Sequence, residues 1–269
     1  MNKNKIFDCI TFYDENLITN ARIEILNRYV DYFIICESRY DHKGNKKEIN
    51  FNLKNKNYKK KVRHLIIEKN FPDISNGWKV EEFQREYILN GIEDASDNDI
   101  ILYSDSDEIP NPIKINNLEL NKKYAIFMQK FFVYKLNVFN KYESPWEGTR
   151  ACKKKDLKSI NFLRKKILKR NLNKPFWKFS LERNIQIIND GGWHFNNLYS
   201  PEKISTKLKT FQHTEFESKK FSSVDLIKTK IENLEDLFGR NHKYQKVIIN
   251  KEYPEYILNN LDLFKEHIL

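Results

Sequence analysis

Short apolar runs alternate with amphipathic stretches through the first hundred residues. Lys5 to Phe12 reads as a first strand. Leu17, Ile18, Ala21, Ile25 and Leu26 fall near helical spacing and predict a helix from Leu17 to Tyr29, with Asp14 or Asn16 as its cap. Val30 to Cys36 is a second apolar run, ending at Glu37-Ser38. Strand, helix and strand in this space make a βαβ unit, which predicts a parallel pair with a right-handed crossover. Asp41 to Lys61 is polar and aperiodic and reads as a long loop. Val62 to Ile67 predicts a third strand and Trp78 to Ala95 a helix. Ile100 to Tyr103 is an apolar run of the kind buried on both faces. The order β-α-β-β-α-β is the first half of a doubly wound nucleotide-binding sheet.

The second half is patterned differently. Tyr124 to Phe139 is dense in aromatic and β-branched residues and predicts one bent strand or two. Pro145 to Arg150 reads as a turn, Gln186 to Ile188 as a short strand and Asn189 to Gly192 as another turn. Glu202 to Thr210, Val224 to Leu237 and Glu255 to Lys265 read as helices, so the C-terminal part is expected to be mainly helical. Residues up to about 110 are expected to form a nucleotide-binding half. Residues 217–269 are expected to pack on the preceding residues as a helical extension.

The acidic turn Asp105-Ser106-Asp107-Glu108 interrupts this pattern where a buried strand surfaces. Ligands of open α/β sheets bind beyond the carboxyl ends of the strands. Carboxylates crowded there repel one another, and a divalent cation relieves that repulsion. Oxygen ligands suit Mg2+ or Mn2+, which commonly also hold substrate phosphates. Asp105 and Asp107 are one residue apart, so their side chains share a face if the segment is extended. A lone Asp-X-Asp is more often a solvated turn; the buried strand before it raises its weight.

Further clusters carry possible chemistry, each with a plainer reading. Gly191-Gly192-Trp193-His194-Phe195 offers close backbone approach, a stacking ring and a metal ligand, or else a tight turn with a core tryptophan. His213 and Glu215, within Lys209 to Phe216, share a face only if extended; a helix end is the alternative. Arg85 lies among Glu81, Glu82 and Glu86, where helix ion pairs are the default and phosphate contact the functional reading.

Composition narrows the class. The 269 residues carry a net charge of +11, with 40% hydrophobic residues and only 7 Gly, as expected of a globular basic protein. Cys9, Cys36 and Cys152 are widely spaced, show no metal or redox spacing, and read as reduced core residues. No Gly-X-Gly-X-X-Gly or Walker sequence is present, which disfavours dinucleotide dehydrogenases and P-loop NTPases. No apolar stretch approaches membrane-spanning length and no signal sequence opens the chain, so the cytoplasm is the expected location. Lys153 to Lys174 holds ten Lys or Arg in 22 residues. Its interleaved residues are mostly aliphatic, which disfavours nucleic acid and leaves a solvated basic face or peripheral contact with an anionic membrane.

In order along the chain, these blocks resemble glycosyltransferase family 17, which includes the β-1,4-mannosyl-glycoprotein β-1,4-N-acetylglucosaminyltransferases and bacterial and viral relatives. The resemblance rests on Phe7 to Phe12 with Glu15 and Leu17, Val30 to Ser38, Phe83-Gln84-Arg85, Asp99 to Pro110, Trp146 to Arg150, Gly191 to Phe195, and Lys209 to Phe216. It implies a GT-A-like, Rossmann-like and mostly parallel sheet, a transferase domain over residues 1–216 with its acceptor half from about 111 to 216, and an inverting, metal-dependent enzyme. The expected donor is a nucleotide sugar, with a UDP-sugar favoured and N-acetylglucosamine a candidate sugar. The expected acceptor is a glycan, bacterial or viral in the absence of a Golgi-type anchor and stem. Thr11, Phe12 and Glu37 are then expected near the base or ribose, and Arg85 near phosphate. Asp105 and Asp107 are expected on Mn2+ or Mg2+, with His194 as third ligand and His213 in reserve. Asp190 or Glu147 is the expected general base, and Trp146, Arg150 and Trp193 the expected sugar contacts. The alternatives are a metal-dependent phosphoesterase or nucleotidyltransferase, and a non-catalytic glycan-binding protein.

Overall fold

A computed structural model describes residues 4–175, 177–210 and 219–269. The chain begins β1 (Ile6–Phe12), α1 (Asn16–Leu26), β2 (Tyr32–Ser38), β3 (Val62–Ile67), α2 (Gly77–Tyr87) and β4 (Ile100–Asp105). Then come β5 (Glu108–Pro110), α3 (Pro112–Asn116), β6 (Tyr124–Val133), β7 (Val138–Phe139), β8 (Trp146–Lys153) and α4 (Ile160–Lys166). The chain closes with β9 (Ile185–Asn196), α5 (Pro201–Thr210), α6 (Lys219–Ser222), α7 (Val224–Glu232), β10 (Gln245–Lys246) and α8 (Glu255–Leu258).

The sheet runs β10-β7-β6-β8-β4-β1-β2-β3, with β9 beside β6 and β5 beside β9. The unit β3-β2-β1-β4 is parallel throughout, as the βαβ pattern required. At β8 the sheet changes character: β8 is antiparallel to both β4 and β6. The protein thus has a mixed α/β fold, parallel in its first half and largely antiparallel in its second.

Alternation along the central strands fills both faces. Ile6, Ile10, Phe33, Ile35, Ile100 and Leu102 join the core under α1, while Phe7, Cys9, Ile34, Cys36, Ile101 and Tyr103 join the core under α2 and α4. The three cysteines are free and buried. The first face also holds a buried ion pair. Arg22 of α1 donates from Nη2 to Asp8 Oδ1 at 2.6 Å and to Ser104 Oγ at 2.9 Å, and from Nη1 to the Glu108 carbonyl. One side chain therefore ties α1, β1, β4 and the start of β5 together. Tyr253, Ile257 and Phe264 from the chain's end enter this same core.

Several local expectations change. The α1 cap position is Glu15, whose side chain instead accepts from the backbone N–H groups of Tyr13 and Asp14. Helix α2 stops at Tyr87 and tightens into a 3₁₀ turn over Ile88–Gly91. Trp146–Lys153 is a strand, not a turn, because it has β4 and β6 as neighbours on either side. The Tyr124–Phe139 run divides into two strands. Glu255–Leu258 is one helical turn, followed by 3₁₀ structure over Leu261–His267.

Asn189 to Gly192 lies inside β9, where the pairing with β6 shifts register between Phe127 and Gln129. This bulge needs the glycine pair. Gly192 has φ +131°, and a Cβ there would lie 2.1 Å from the Ile109 carbonyl oxygen; one on Gly191 would lie 2.7 Å from the Met128 nitrogen. Close approach lets β9 hold β6 on one edge and β5 on the other.

Candidate active site

Strand pairing assembles the site. β5 runs antiparallel to β9 with Glu108 opposite His194, and the Phe195 N–H donates to the Asp107 carbonyl at 2.9 Å. Asp107 and His194 are thereby brought together, with Nε2 of the histidine 3.3 Å from Oδ1 of the aspartate. β6 lies parallel to β9 with Phe131 opposite His194, and their rings stack at 4.4 Å between centroids. Trp146, at the start of β8, sits 5.1 Å from the same imidazole, and its indole N–H donates to Glu108 Oε1 at 2.6 Å. On the other side, β1 pairs with β4 so that Thr11 stands beside Asp105.

A cavity of about 530 Å³ opens at this junction, lined by Thr11, Phe12, Gln84, Asp105, Asp107, Phe131, Glu143, Trp146, His194 and Arg240 among others. A second cavity, about 330 Å³, lies against the N-terminal turn of α1 and the residues after β9, and shares Asp107, Glu15 and Asn197 with the first.

Electrostatics divide the acidic turn into two different groups. Burial pushes the Asp107 carboxyl up, but His194 outweighs it and holds it below the usual carboxylate range. Reciprocally, burial depresses the His194 imidazole, and Asp107 lifts it above its ordinary value. Asp105 lines the same cavity but has different partners. It is ion-paired with Arg164 and accepts from the Tyr103 hydroxyl at 3.3 Å. Burial raises its pKa, yet Arg164 and then Arg85 bring it down to about 2. Glu108 has no exposed side-chain surface; it accepts from Arg164 at 2.8 and 3.0 Å, from Trp146 and from the Asp105 N–H.

The residues fit a divalent ion as a two-ligand site. Asp107 and His194 offer one oxygen and one nitrogen donor on the cavity wall, and His194 Nδ1 is buried with no hydrogen-bond partner among the described residues. No third His, Cys, Asp or Glu converges on them among those residues. Such an ion ordinarily completes its sphere with substrate phosphate and water. His213 lies outside the described residues.

The other expected site residues divide between the cavity and the scaffold. Thr11, Phe12 and Trp146 line the cavity. Glu37 does not. Its carboxylate accepts from Lys47 at 2.7 Å, from the N–H groups of Asn50 and Phe51, and from His64 at 3.1 Å. It pins the 39–54 loop rather than pointing to a ligand. Burial pushes its pKa up, but the His64, Asn50, Lys47 and Phe51 hydrogen bonds together hold it below normal. A depressed folded-state value means that its stabilisation is complete above the unfolded carboxylate range and is lost as pH falls through the folded value. Glu37→Gln is expected to cost about 1.5–3 kcal/mol at pH 7 and to flatten the loss of stability below about pH 4.5. Denaturant midpoints measured across pH 3–7 check both.

Arg85 is buried in the scaffold; it donates to the Tyr103 hydroxyl at 3.2 Å and pairs with Glu81 at 2.5 Å. Arg150 is buried too, and caps the carbonyls of Glu147 and Gly148. Burial and the neighbouring Arg164 depress its pKa to about 10. Trp193 is a core residue whose indole donates to the Glu252 carbonyl at 3.0 Å. Glu147 accepts from the Lys169 N–H and does not line the cavity. Asp190 is exposed at the bulge with φ +51°, its carbonyl accepting from Asn111. Neither expected base reaches the cavity, because β8 and β9 are strands at those positions and turn these side chains away.

Two functional candidates escaped the sequence reading. Arg164 comes from the basic segment and inserts between Asp105 and Glu108. Its signal was spacing: Ile160, Leu163, Arg164 and Ile167 stand at i, i+3, i+4 and i+7, so the arginine shares the helix side that packs inward. Burial lowers its pKa, but the two carboxylates raise it more and keep the guanidinium charged. Glu143, on the β7–β8 connection, faces the cavity and is fixed by Asn140 Nδ2 at 2.7 Å and Arg240 at 3.0 Å. No sequence motif marks it.

The comparisons bear on this geometry. The sequence description of glycosyltransferase family 17 matches residues 1–260. No curated protein matches the chain. Among solved structures, a glycosyltransferase involved in the glycosylation of the major capsid of PBCV-1 is 13% identical with a TM-score of 0.33, covering 69% of this chain and 81% of its own. Glucosyl-3-phosphoglycerate synthase from Mycobacterium tuberculosis, in complex with Mn2+ and UDP-glucose, is 13% identical with a TM-score of 0.40, covering 77% of this chain and 78% of its own. Likeness at that level assigns no residue. The family match takes in both halves of the sheet, the acidic turn and the Gly-Gly-Trp-His strand, and on it this enzyme belongs to glycosyltransferase family 17.

Proposed function

We propose that this glycosyltransferase moves a sugar from a UDP-sugar to a glycan acceptor with inversion at the anomeric carbon, with N-acetylglucosamine a candidate sugar. The observation that carries the reading is the Asp107–His194 pair, set in a cavity whose wall also holds Thr11, Phe12 and Trp146. Thr11 and Phe12, at the carboxyl end of β1, supply a polar and an aromatic contact where nucleotides bind in α/β sheets. Asp107 and His194 would hold Mn2+ or Mg2+, which when bound supplies charge neutralisation to a diphosphate leaving group. Asp105 is held ionised by Arg164 and is placed to accept from a ribose hydroxyl. Trp146, locked by Glu108, offers a ring face for a sugar.

Inversion in one displacement needs a base on the acceptor hydroxyl. Glu143 takes that role in this reading. Unlike Asp190 and Glu147 it lines the cavity, and it enters from the β7–β8 connection rather than from the strand ends that carry Asp105 and Asp107. Asn140 and Arg240 hold both its oxygens in place.

Thermal melts with a panel of nucleotide sugars, with and without Mn2+, test the donor assignment, since a ligand of the native state raises the melting temperature. Selective metal-dependent stabilisation by one UDP-sugar is expected; no shift with any nucleotide sugar removes the assignment. Glu143→Gln is expected to slow transfer by about 10²-fold or more while leaving the donor-induced shift intact. Full activity in that variant, with loss in Asp190→Asn or Glu147→Gln, would return the role to one of those carboxylates. The anomeric configuration of the product, read by NMR, decides inversion against retention.

A further inference from the structure

We propose that the face formed by residues 158–175 and 177–181 docks this enzyme on an anionic phospholipid surface. Between Asp156 and Glu182 the sequence carries eight Lys or Arg and no acidic residue. The fold spends part of this charge internally, Arg164 on Asp105 and Glu108 and Lys165 on Glu81 at 3.5 Å. Of the eight, Arg164 alone turns into the acidic cluster, and Lys165, Lys166, Lys169, Arg170, Lys174 and Lys178 are exposed. Two large aromatic side chains stand among them, Trp177 at 62% and Phe179 at 86% relative exposure. Trp78, also largely exposed, extends the patch through Lys165, whose ammonium lies 4.3 Å from the ring centre.

The turn that presents the aromatics is built. Lys178 N–H donates to the Pro175 carbonyl at 3.1 Å, and Leu181 N–H to the Lys178 carbonyl at 3.1 Å. Arg183 reaches back under it, donating to the carbonyls of Lys178 at 3.1 Å and Leu181 at 3.4 Å and to that of Pro175. Held by these bonds, the turn can place two rings at the headgroup level while the surrounding bases meet anionic lipid. Each base near such a surface multiplies affinity by roughly fivefold. A nucleic-acid track would interleave aromatics along the basic path for successive bases to stack on; here Trp177 and Phe179 are gathered at one tip. Helix α4 carries both Arg164 and the exposed Lys165 and Lys166, so the docking face and the acidic turn are joined by one rigid element.

Co-sedimentation with vesicles tests this directly. Binding is expected to phosphatidylcholine vesicles containing phosphatidylglycerol, at physiological salt, and not to phosphatidylcholine alone. Trp177→Ala with Phe179→Ala is expected to weaken it by about tenfold or more. Lys174→Glu with Lys178→Glu should weaken it comparably and reduce its salt dependence. Unchanged melting temperatures would show that both variants fold, and transfer to a soluble acceptor should be unaffected, so vesicle binding stands or falls apart from the donor chemistry. The proposal is overturned by absent binding to the mixed vesicles, by undiminished binding in both variants, or by a single-stranded oligonucleotide that displaces the protein from them.

Discussion

Asp107→Asn is expected to reduce sugar transfer by about 10³-fold or more, with little change in melting temperature of the ligand-free protein. The substitution keeps the size of the side chain and a hydrogen-bonding partner for His194, but removes the charge that a divalent ion requires. Loss of roughly 4 kcal/mol of stabilisation of a developing diphosphate corresponds to that factor. Steady-state kinetics should show the fall in kcat. Melts with UDP and Mn2+ should show that the metal no longer adds to nucleotide stabilisation. If Asp107→Asn transfers sugar at a tenth of the normal rate or better, the metal role moves off Asp107. Asp105→Asn is the informative companion. Asp105 is already engaged by Arg164 and Tyr103, so its loss should weaken nucleotide binding more than it alters metal dependence.

Arg164→Met is expected to destabilise the fold by about 3–5 kcal/mol, because it leaves Glu108 buried without its countercharge. Glu108 has no exposed side-chain surface, and Arg164 contacts both of its oxygens. For a chain of this size the melting temperature should fall by at least about 6 °C. Glu108→Gln in the same chain should recover part of the loss, since the uncompensated charge is then gone. A fall of under about 1 kcal/mol would mean that water already carries these charges. The pair also sets an acid limit. Asp105, at about 2 in the folded chain, contributes stability that is complete above the unfolded carboxylate range. That contribution is lost as pH falls from about 4 towards 2. Arg164→Met should remove much of this slope. Arg164→Lys should restore charge but not the fork that contacts two carboxylates at once.

The first half of the sheet was legible because local pattern and burial agree there. Ile6–Phe12, Tyr32–Ser38 and Ile100–Asp105 are strands buried on two faces, and a short apolar run bounded by polar residues reports that environment directly; Val62–Ile67, at the sheet edge, is half-buried. The acidic turn was legible for the same reason, since charged residues stand where a buried strand ends. The second half was misread wherever tertiary neighbours overrode local chemistry. Trp146 to Arg150 and Asn189 to Gly192 have the residues of turns, yet both are held in strands by partners distant in sequence.

The same division holds within the site. The sequence singled out Asp105, Asp107, His194 and Trp146, and the structure brings all four to the wall of one cavity. It could not tell that Asp107 pairs with His194 while Asp105 pairs with Arg164, because a one-residue step along a turn sends two carboxylates to different partners. It placed Arg164 in a solvated basic face, although long-range packing of α4 makes that arginine part of the acidic cluster. It offered Asp190 and Glu147 because those two sit beside recognisable motifs, and it did not reach Glu143, which lines the cavity. By itself, then, the sequence determined the parallel half of the sheet, the family and the place of the acidic turn, all encoded in contiguous residues. The tertiary structure alone decided which side chains meet. Strand register and helix docking bring together groups as far apart as Asp107 and His194, and no local pattern specifies the charge that arrives from the other side of the fold.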